Sequence, residues 1–372
     1  MITPFRVPLP PASVDDLRER LARTRWPSPA PGPGWEQGSP LSDVSDLCAY
    51  WQSGYDFSAA EERLNRHPQF RTEIDGVKIH FVHVRSERAD AVPVLMTHGW
   101  PGSVVEFADV IGPLSESFHI VCPSLPGYGF SDAPTEPGWA VARVADAWAV
   151  LMERLGYPRF VAQGHDWGTS VSTEIGLRHP SRVIGLHLVP PLVAPDPATF
   201  GALTPAEQSA LDDLEAAARG DGYSFVQSTR PQTIGYGLVD SPAALCAWIV
   251  EKFHAWTDGD VLTRDQLLDN LMMYWLPGAG VSAARFYWES FPAVQAVFRG
   301  DGSEAPPVPV PVGCSIFPRE NPRPSRRWAE RRFSDIRYWN EPARGGHFAA
   351  FEQPGQFVEE VRACVAALTA GT

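Results

Sequence analysis

Apolar and polar positions alternate in two different rhythms along this chain. From about residue 70, short apolar runs bounded by turn residues read as strands. "RTEIDGVKIHFVHV" folds back around Asp75-Gly76 as a hairpin, followed by "AVPVLMTHG", "FHIVCPS", "RFVAQG" and "VIGLHLV". Helical stretches such as "AVARVADAWAVLMERLG" lie between them, and the strand rhythm returns at "VPVGCSIFP" and "DIRYWN" before a closing helix, "PGQFVEEVRACVAAL". Strands alternating with helices predict an α/β protein with a mostly parallel, eight-stranded sheet.

Between about 191 and 295 only the helical period remains. "TPAEQSALDDLEAAARG" starts at Thr204-Pro205 and stops at Gly220, and "SPAALCAWIVEKFHAW" starts in the same way. A helical block inserted into such a sheet sits as a cap over the carboxyl edge, where open α/β sheets bind ligands. Ahead of the sheet lies an arm with an amphipathic helix near "SVDDLRERLART", for which Ser13 is the expected cap, and a proline-glycine loop, "PSPAPGPG", at 27–34. The expected organisation is an arm over 1–75, core over 76–190, cap over 191–295 and core again over 296–372.

Composition narrows the partners. The 372 residues hold 31 basic and 44 acidic side chains, a net charge of −13, with no basic cluster to follow a phosphate backbone, so nucleic acid is not expected. Cys48, Cys122, Cys246, Cys314 and Cys364 are odd in number and scattered, without metal or redox spacing. The N-terminus lacks the pattern of a signal peptide and no run of about 18 apolar residues occurs. These features predict a cytoplasmic protein with no membrane partner, and they leave the oligomeric state open, with a homodimer as one option at this size.

The chemistry centres on "QGHDWGTS". Its glycines have the spacing of the G-x-S-x-G nucleophile elbow, a strained strand-to-helix turn, but Asp166 stands at the nucleophile position. An ordinary loop with Asp166 as helix cap is the plain alternative. "THGWPGS" follows the third strand, where such enzymes place a main-chain oxyanion donor, so the amides of Trp100 and Trp167 are expected to meet at one oxygen; alone, "HGWP" is just a proline turn. His347, after two glycines beyond the last strand, is the candidate base. Glu320, in "CSIFPRENP", is the candidate orienting acid, with Asp196 as competitor, and Glu341 lies too close along the chain to His347.

An aspartate nucleophile suits attack on a strained or activated carbon, giving an alkyl ester that water, activated by His347, then hydrolyses. An epoxide needs its oxygen protonated, and the cap supplies Tyr223 and Tyr287, although tyrosines in helices more often pack. Trp275 and Trp288 suggest a bulky apolar or aromatic substrate, and core packing explains them equally well.

These motifs resemble the microsomal-type epoxide hydrolases of the α/β-hydrolase superfamily, and the likeness extends from "ITPFRVPLPPASVDDLRERLARTRWP" through "HGWPGS", "GHDWG" and "GYSFVQSTRPQTIGYGL" to "RGGHFAAFEQP". The resemblance implies Asp166 as nucleophile, His347 as base, Glu320 as acid, Tyr223 and Tyr287 as the paired tyrosines, and an arm that wraps the core and braces the cap. It also implies a small epoxide as partner, no cofactor and no metal. Lacking the hydrophobic anchor helix of membrane-bound relatives, the chain is expected to be a soluble member, and some soluble members make vicinal diols in antibiotic pathways, including those of enediynes, while others break down foreign epoxides. The alternatives are a haloalkane dehalogenase, in which Trp167 would be a halide donor, and a ligand receptor without catalysis.

Overall fold

The computed structural model describes residues 1–32, 34–298, 305–320 and 322–370. Its strands are β1 (Ile2–Phe5), β2 (Gln69–Ile74), β3 (Val77–Val84), β4 (Val92–Thr97), β5 (Phe118–Pro123), β6 (Phe160–His165), β7 (Val183–Val189), β8 (Val312–Ser315) and β9 (Ile336–Asn340). They form one sheet in the order β1-β2-β3-β5-β4-β6-β7-β8-β9. β1, β2, β3 and β5 pair antiparallel in turn, and β5, β4, β6, β7, β8 and β9 run parallel. The described sheet therefore has nine strands where the sequence pattern predicts eight. The additional one, β1, is a four-residue edge strand containing Pro4, which an edge tolerates because one side of its backbone needs no ladder partner.

The hairpin between β2 and β3 turns at Asp75-Gly76, both with positive φ, 52° and 79°. The expected arm boundary at 75 thus falls inside this hairpin, and β1 and β2 belong to the sheet. The first helix of the arm begins at Pro11, not at a cap supplied by Ser13: the capping position is Pro10, and proline in the first turn needs no N–H partner. Pro33, in the expected proline-glycine loop, lies outside the described residues, as do 299–304 beside the expected cap-to-core boundary at 295–296.

The central strands are buried on both faces; every residue of β6 is buried. That explains their continuous apolar runs, because helices such as Val141–Arg154 and Trp167–Arg178 cover the sheet. Among the described residues six helices form the cap: Pro205–Arg219, Gly222–Thr229, Pro231–Asp240, Pro242–Trp256, Arg264–Trp275 and Gly280–Phe298. The first starts with a complete capping box, Thr204 to Glu207, and Pro205. Among the described residues no single helix is long and apolar enough to cross a membrane.

The arm fastens the cap to the core. Arg63 bonds both oxygens of Asp269, at 2.7 and 2.8 Å, and Tyr50 reaches Asp265 at 2.7 Å, all toward the cap helix Arg264–Trp275. That helix in turn grips the loop after β4: Asn270 Nδ2 donates to Pro101 O at 2.8 Å and the Tyr274 hydroxyl to Gly102 O at 2.6 Å. Arm, cap and the loop after β4 are one hydrogen-bonded chain.

Candidate active site

β6 delivers Asp166. The strand ends at His165 and a helix starts at Trp167, so Asp166 makes the turn alone, at φ 51°, a left-handed value that is strained for a side chain of this kind. The flanking glycines have a steric cause: a Cβ on Gly164 would sit 2.0 Å from Gly168 O, and one on Gly168 would sit 1.9 Å from Thr97 O. A third, Gly99, lets the loop after β4 close on the carboxylate, since its Cβ would lie 2.1 Å from Asp166 Oδ1. Although Asp166 occupies the helix-capping position, its side chain makes no capping bond. The carboxylate accepts instead from the main-chain amide of Trp100, at 2.9 Å to Oδ1, with the Trp167 amide beside it.

Behind the elbow, His165 Nε2 lies 2.8 Å from Glu106 Oε2, both side chains being buried. Glu106 also abuts Gly102, where a Cβ would fall 1.4 Å from Oε1. The carboxylate therefore sits between the two loops whose amides reach Asp166.

β9 leads to His347 and β8 to Glu320. His347 Nδ1 is 2.5 Å from Glu320 Oε1, while Nε2 is 3.3 Å from Asp166 Oδ2. The competing acids lie elsewhere: Asp196 pairs with Arg331 at 3.2 Å, and Glu341 accepts from Trp339 Nε1 at 3.0 Å. The loop that carries His347 is clamped to the end of a cap helix. His347 N donates to Trp256 O at 2.9 Å. Buried Glu352 accepts from the amides of Asp258, Gly346 and Phe348, at 2.7, 3.0 and 3.0 Å, and the Asp258 carboxylate accepts from Gly345 N at 3.0 Å.

Two cap helices bring Tyr223 and Tyr287 over this group. Their rings meet edge to face at 5.9 Å. Tyr223 stacks on Trp100 at 5.0 Å and 8°, and Tyr287 stands on Trp167 at 4.8 Å and 90°. A cavity of about 150 Å³ is lined by Asp166, Trp167, Tyr223, Tyr287, Glu320 and His347, with Pro190, Pro191, Leu192, Phe291 and Val294 as apolar wall. A larger cleft, about 910 Å³, runs between arm and cap past Trp26 and Asp240, and none of the candidate site residues lines it.

Trp275 and Trp288 do not line the cavity beside Asp166. Trp275 packs against Trp51, 6.4 Å away, beneath the Arg20 guanidinium, and Trp288 is half exposed beside a surface pocket with Trp139 and Arg285. Trp256, which the sequence did not single out, stands 5.0 Å from the His347 ring and 5.4 Å from Tyr223. Its only sequence signal is its place as the last residue of the helix "PAALCAWIVEKFHAW".

Electrostatics follow from burial and neighbours. Burial raises the Asp166 carboxyl, but His347 and the amides of Trp100 and Trp167 outweigh it and hold the group below its ordinary value. Burial likewise opposes charge on His347, and the carboxylates of Glu320 and Asp166 win, leaving it well above the ordinary histidine value. Burial, and then nearby negative charge, push both tyrosines upward, so they are protonated donors at neutral pH. Among the described residues no group of three or more His, Cys, Asp or Glu side chains is placed to hold a metal ion.

A mostly parallel sheet with a positive-φ aspartate at the turn after β6, amides beside its carboxylate and a histidine after the last strand define the class: an enzyme of α/β-hydrolase fold with a carboxylate at the nucleophile position. Residues 2–107 match the epoxide hydrolase N-terminus family and residues 92–233 the α/β hydrolase fold family. The chain is 47% identical over 99% of its length to a Stigmatella aurantiaca protein provisionally named an epoxide hydrolase, covering 86% of that protein. It is 34% identical over 97% of its length to epoxide hydrolase 1 of Sus scrofa, of which 88% is covered. The crystal structure of juvenile hormone epoxide hydrolase from Bombyx mori superposes with a TM-score of 0.91 at 32% identity, covering 99% of this chain and 95% of that one. The chain belongs to the microsomal-type epoxide hydrolase family.

Proposed function

We propose that this protein converts an epoxide and water to a vicinal diol through an alkyl ester on Asp166. The observation that carries the reading is the divided environment of one carboxylate: Oδ1 is held by a main-chain amide at 2.9 Å, and Oδ2 lies 3.3 Å from the imidazole, below two phenols. Oδ2 attacks an epoxide carbon, the carbon–oxygen bond breaks, and the leaving oxygen takes a proton from the tyrosine pair. Esterification removes the charge of Asp166, and with it part of what keeps His347 protonated. The proton on His347 restores the phenol, and the neutral imidazole can then act as a base.

His347 next takes a proton from water, whose oxygen attacks the carboxyl carbon of Asp166. The tetrahedral oxyanion forms where the Trp100 and Trp167 amides already point, each such donor being worth about 3 kcal/mol. Collapse expels the diol oxygen, which receives the proton left on the new carboxyl group, and Asp166 returns as an anion beside protonated His347. No proton or electron is left over. The wall of Leu192, Phe291, Val294 and two prolines suits an uncharged apolar or aromatic epoxide.

The names of the relatives support the same class, since the Sus scrofa and Bombyx mori proteins are epoxide hydrolases. Five buried cysteines without disulfides support a reducing, cytoplasmic setting. One observation favours a second reading: Trp167 Nε1 is buried without a hydrogen-bond partner among the described residues, as a halide donor in a dehalogenase would be. Halide release from a haloalkane, absent under the first reading, separates the two. The direct test is a single turnover of styrene oxide in ¹⁸O-water: label is expected in Asp166 and not in the first diol released. Label in that first diol means that water attacked the epoxide directly and contradicts the ester.

A further inference from the structure

Lys252, one of two lysines in the chain, is buried in the cap helix Pro242–Trp256. A buried ammonium is costly unless paired. Its Nζ donates to Gly220 O at 3.1 Å and lies 2.9 Å from Glu251 Oε1. Gly220 ends the helix Pro205–Arg219, so the first contact has an ordinary helix-terminus explanation. That does not account for the aromatic neighbours: Nζ also stands over the ring of Tyr223, 4.5 Å from its centroid, and 5.7 Å from that of Trp256. The ring of Tyr223 is thus packed on the Trp100 indole and covered by a cation.

We infer that Lys252 is a positioning residue for epoxide opening, acting through Tyr223: its ammonium fixes the phenol ring over Asp166 and favours the negative charge that grows on that ring as the proton leaves. An ammonium attracts a neutral ring modestly and a developing phenolate more strongly, so the contact is stronger in the transition state than in the ground state. A guanidinium is planar and broader, and in a chain whose other basic residues are almost all arginine, a compact ammonium suits the space above one phenol. The inference rests on the reading of Tyr223 as a proton donor.

The test is a double-mutant cycle on kcat/KM for styrene oxide with Lys252→Gln, Tyr223→Phe and the double variant. Glutamine can still donate to Gly220 O, so it removes the charge while keeping the helix contact. The expected result is a loss on the order of tenfold for Lys252→Gln when Tyr223 is present, shrinking to less than about twofold in the Tyr223→Phe background. Lys252→Arg should recover part of the loss. Equal losses in both backgrounds assign Lys252 to packing alone and overturn the inference, as does a Lys252→Gln protein as fast as the parent. If glutamine prevents folding, the cycle is run with Lys252→Arg, whose displaced charge must again cost more with Tyr223 than without it. The ester reading is judged separately, by the mass of His347→Gln after exposure to substrate, so its failure is not confused with failure of the cycle.

Discussion

His347 Nε2 lies 3.3 Å from Asp166 Oδ2 while its Nδ1 is held 2.5 Å from Glu320. One imidazole therefore faces two carboxylates, and only one of them changes charge during the proposed reaction. This makes the protonation state of His347 depend on whether Asp166 is free or esterified.

The first prediction follows from that dependence. Asp166→Asn, which mimics the uncharged ester, should lower the titration midpoint of His347, read from imidazole NMR signals. The linkage sign is fixed by the raised value in the parent: the stabilisation from charged His347 is full below the ordinary midpoint of about 6.5 and is lost as pH rises through the raised one. Asp166 works oppositely, its contribution being lost as pH falls through its lowered value. An unshifted His347 midpoint in Asp166→Asn contradicts the coupling.

The tyrosines should act in the first half-reaction. Replacing both Tyr223 and Tyr287 by phenylalanine should slow ester formation by about 100-fold or more, with a smaller loss for either alone because the other phenol remains. Hydrolysis of the ester, followed after mixing and quenching, should change far less. Undiminished turnover in the double variant removes the pair from the mechanism.

Glu352 should matter in the second half-reaction. Its carboxylate gathers the amides of Gly346 and Phe348 on either side of His347 and that of Asp258 across the cap boundary. Glu352→Gln puts an amide nitrogen among those donors and loosens the base. Ester hydrolysis is expected to slow by about tenfold while ester formation stays near the parent rate, so that ester accumulates at steady state. Equal slowing of both steps indicates a general loss of structure.

Acid should weaken the fold for a reason separate from catalysis. Burial holds His80 and His187 at about 3 and His98 at about 4. His98 is locked as a neutral ring, with Nδ1 toward Gly99 O at 2.9 Å and Nε2 accepting from Leu125 N at 3.1 Å. The unfolded chain takes up these protons first, so stability is full above about pH 6.5 and falls as pH drops toward the folded values, by up to about 1.4 kcal/mol per pH unit for each histidine. Urea unfolding at about pH 6.5 and about pH 5.5 should differ by up to about 3 kcal/mol. Equal stability at the two values contradicts the assignment.

What the sequence disclosed depended on how local each cause is. The elbow was legible because its glycines answer clashes within five residues, Gly164 against Gly168 O. His347 and Glu320 were legible because strand order fixes where the loops after β8 and β9 must emerge. Trp275 and Trp288 were misplaced because an aromatic residue in a helix signals packing without saying against what. Lys252, Trp256 and Glu352 were invisible for the same physical reason: each has a partner on a distant element, such as Tyr223 for Lys252 and Asp258 for Glu352. β1 escaped notice because "ITPF" is short and carries a proline, features that suit an edge and mute the strand pattern.

The covalent ester is tested most directly by the intact mass of His347→Gln after incubation with styrene oxide, with Asp166→Asn as control. The expected result is a gain of one substrate mass on a peptide containing Asp166, absent from the control, while the parent protein releases diol. A His347→Gln protein that never gains that mass, from a parent that turns the epoxide over, contradicts the ester.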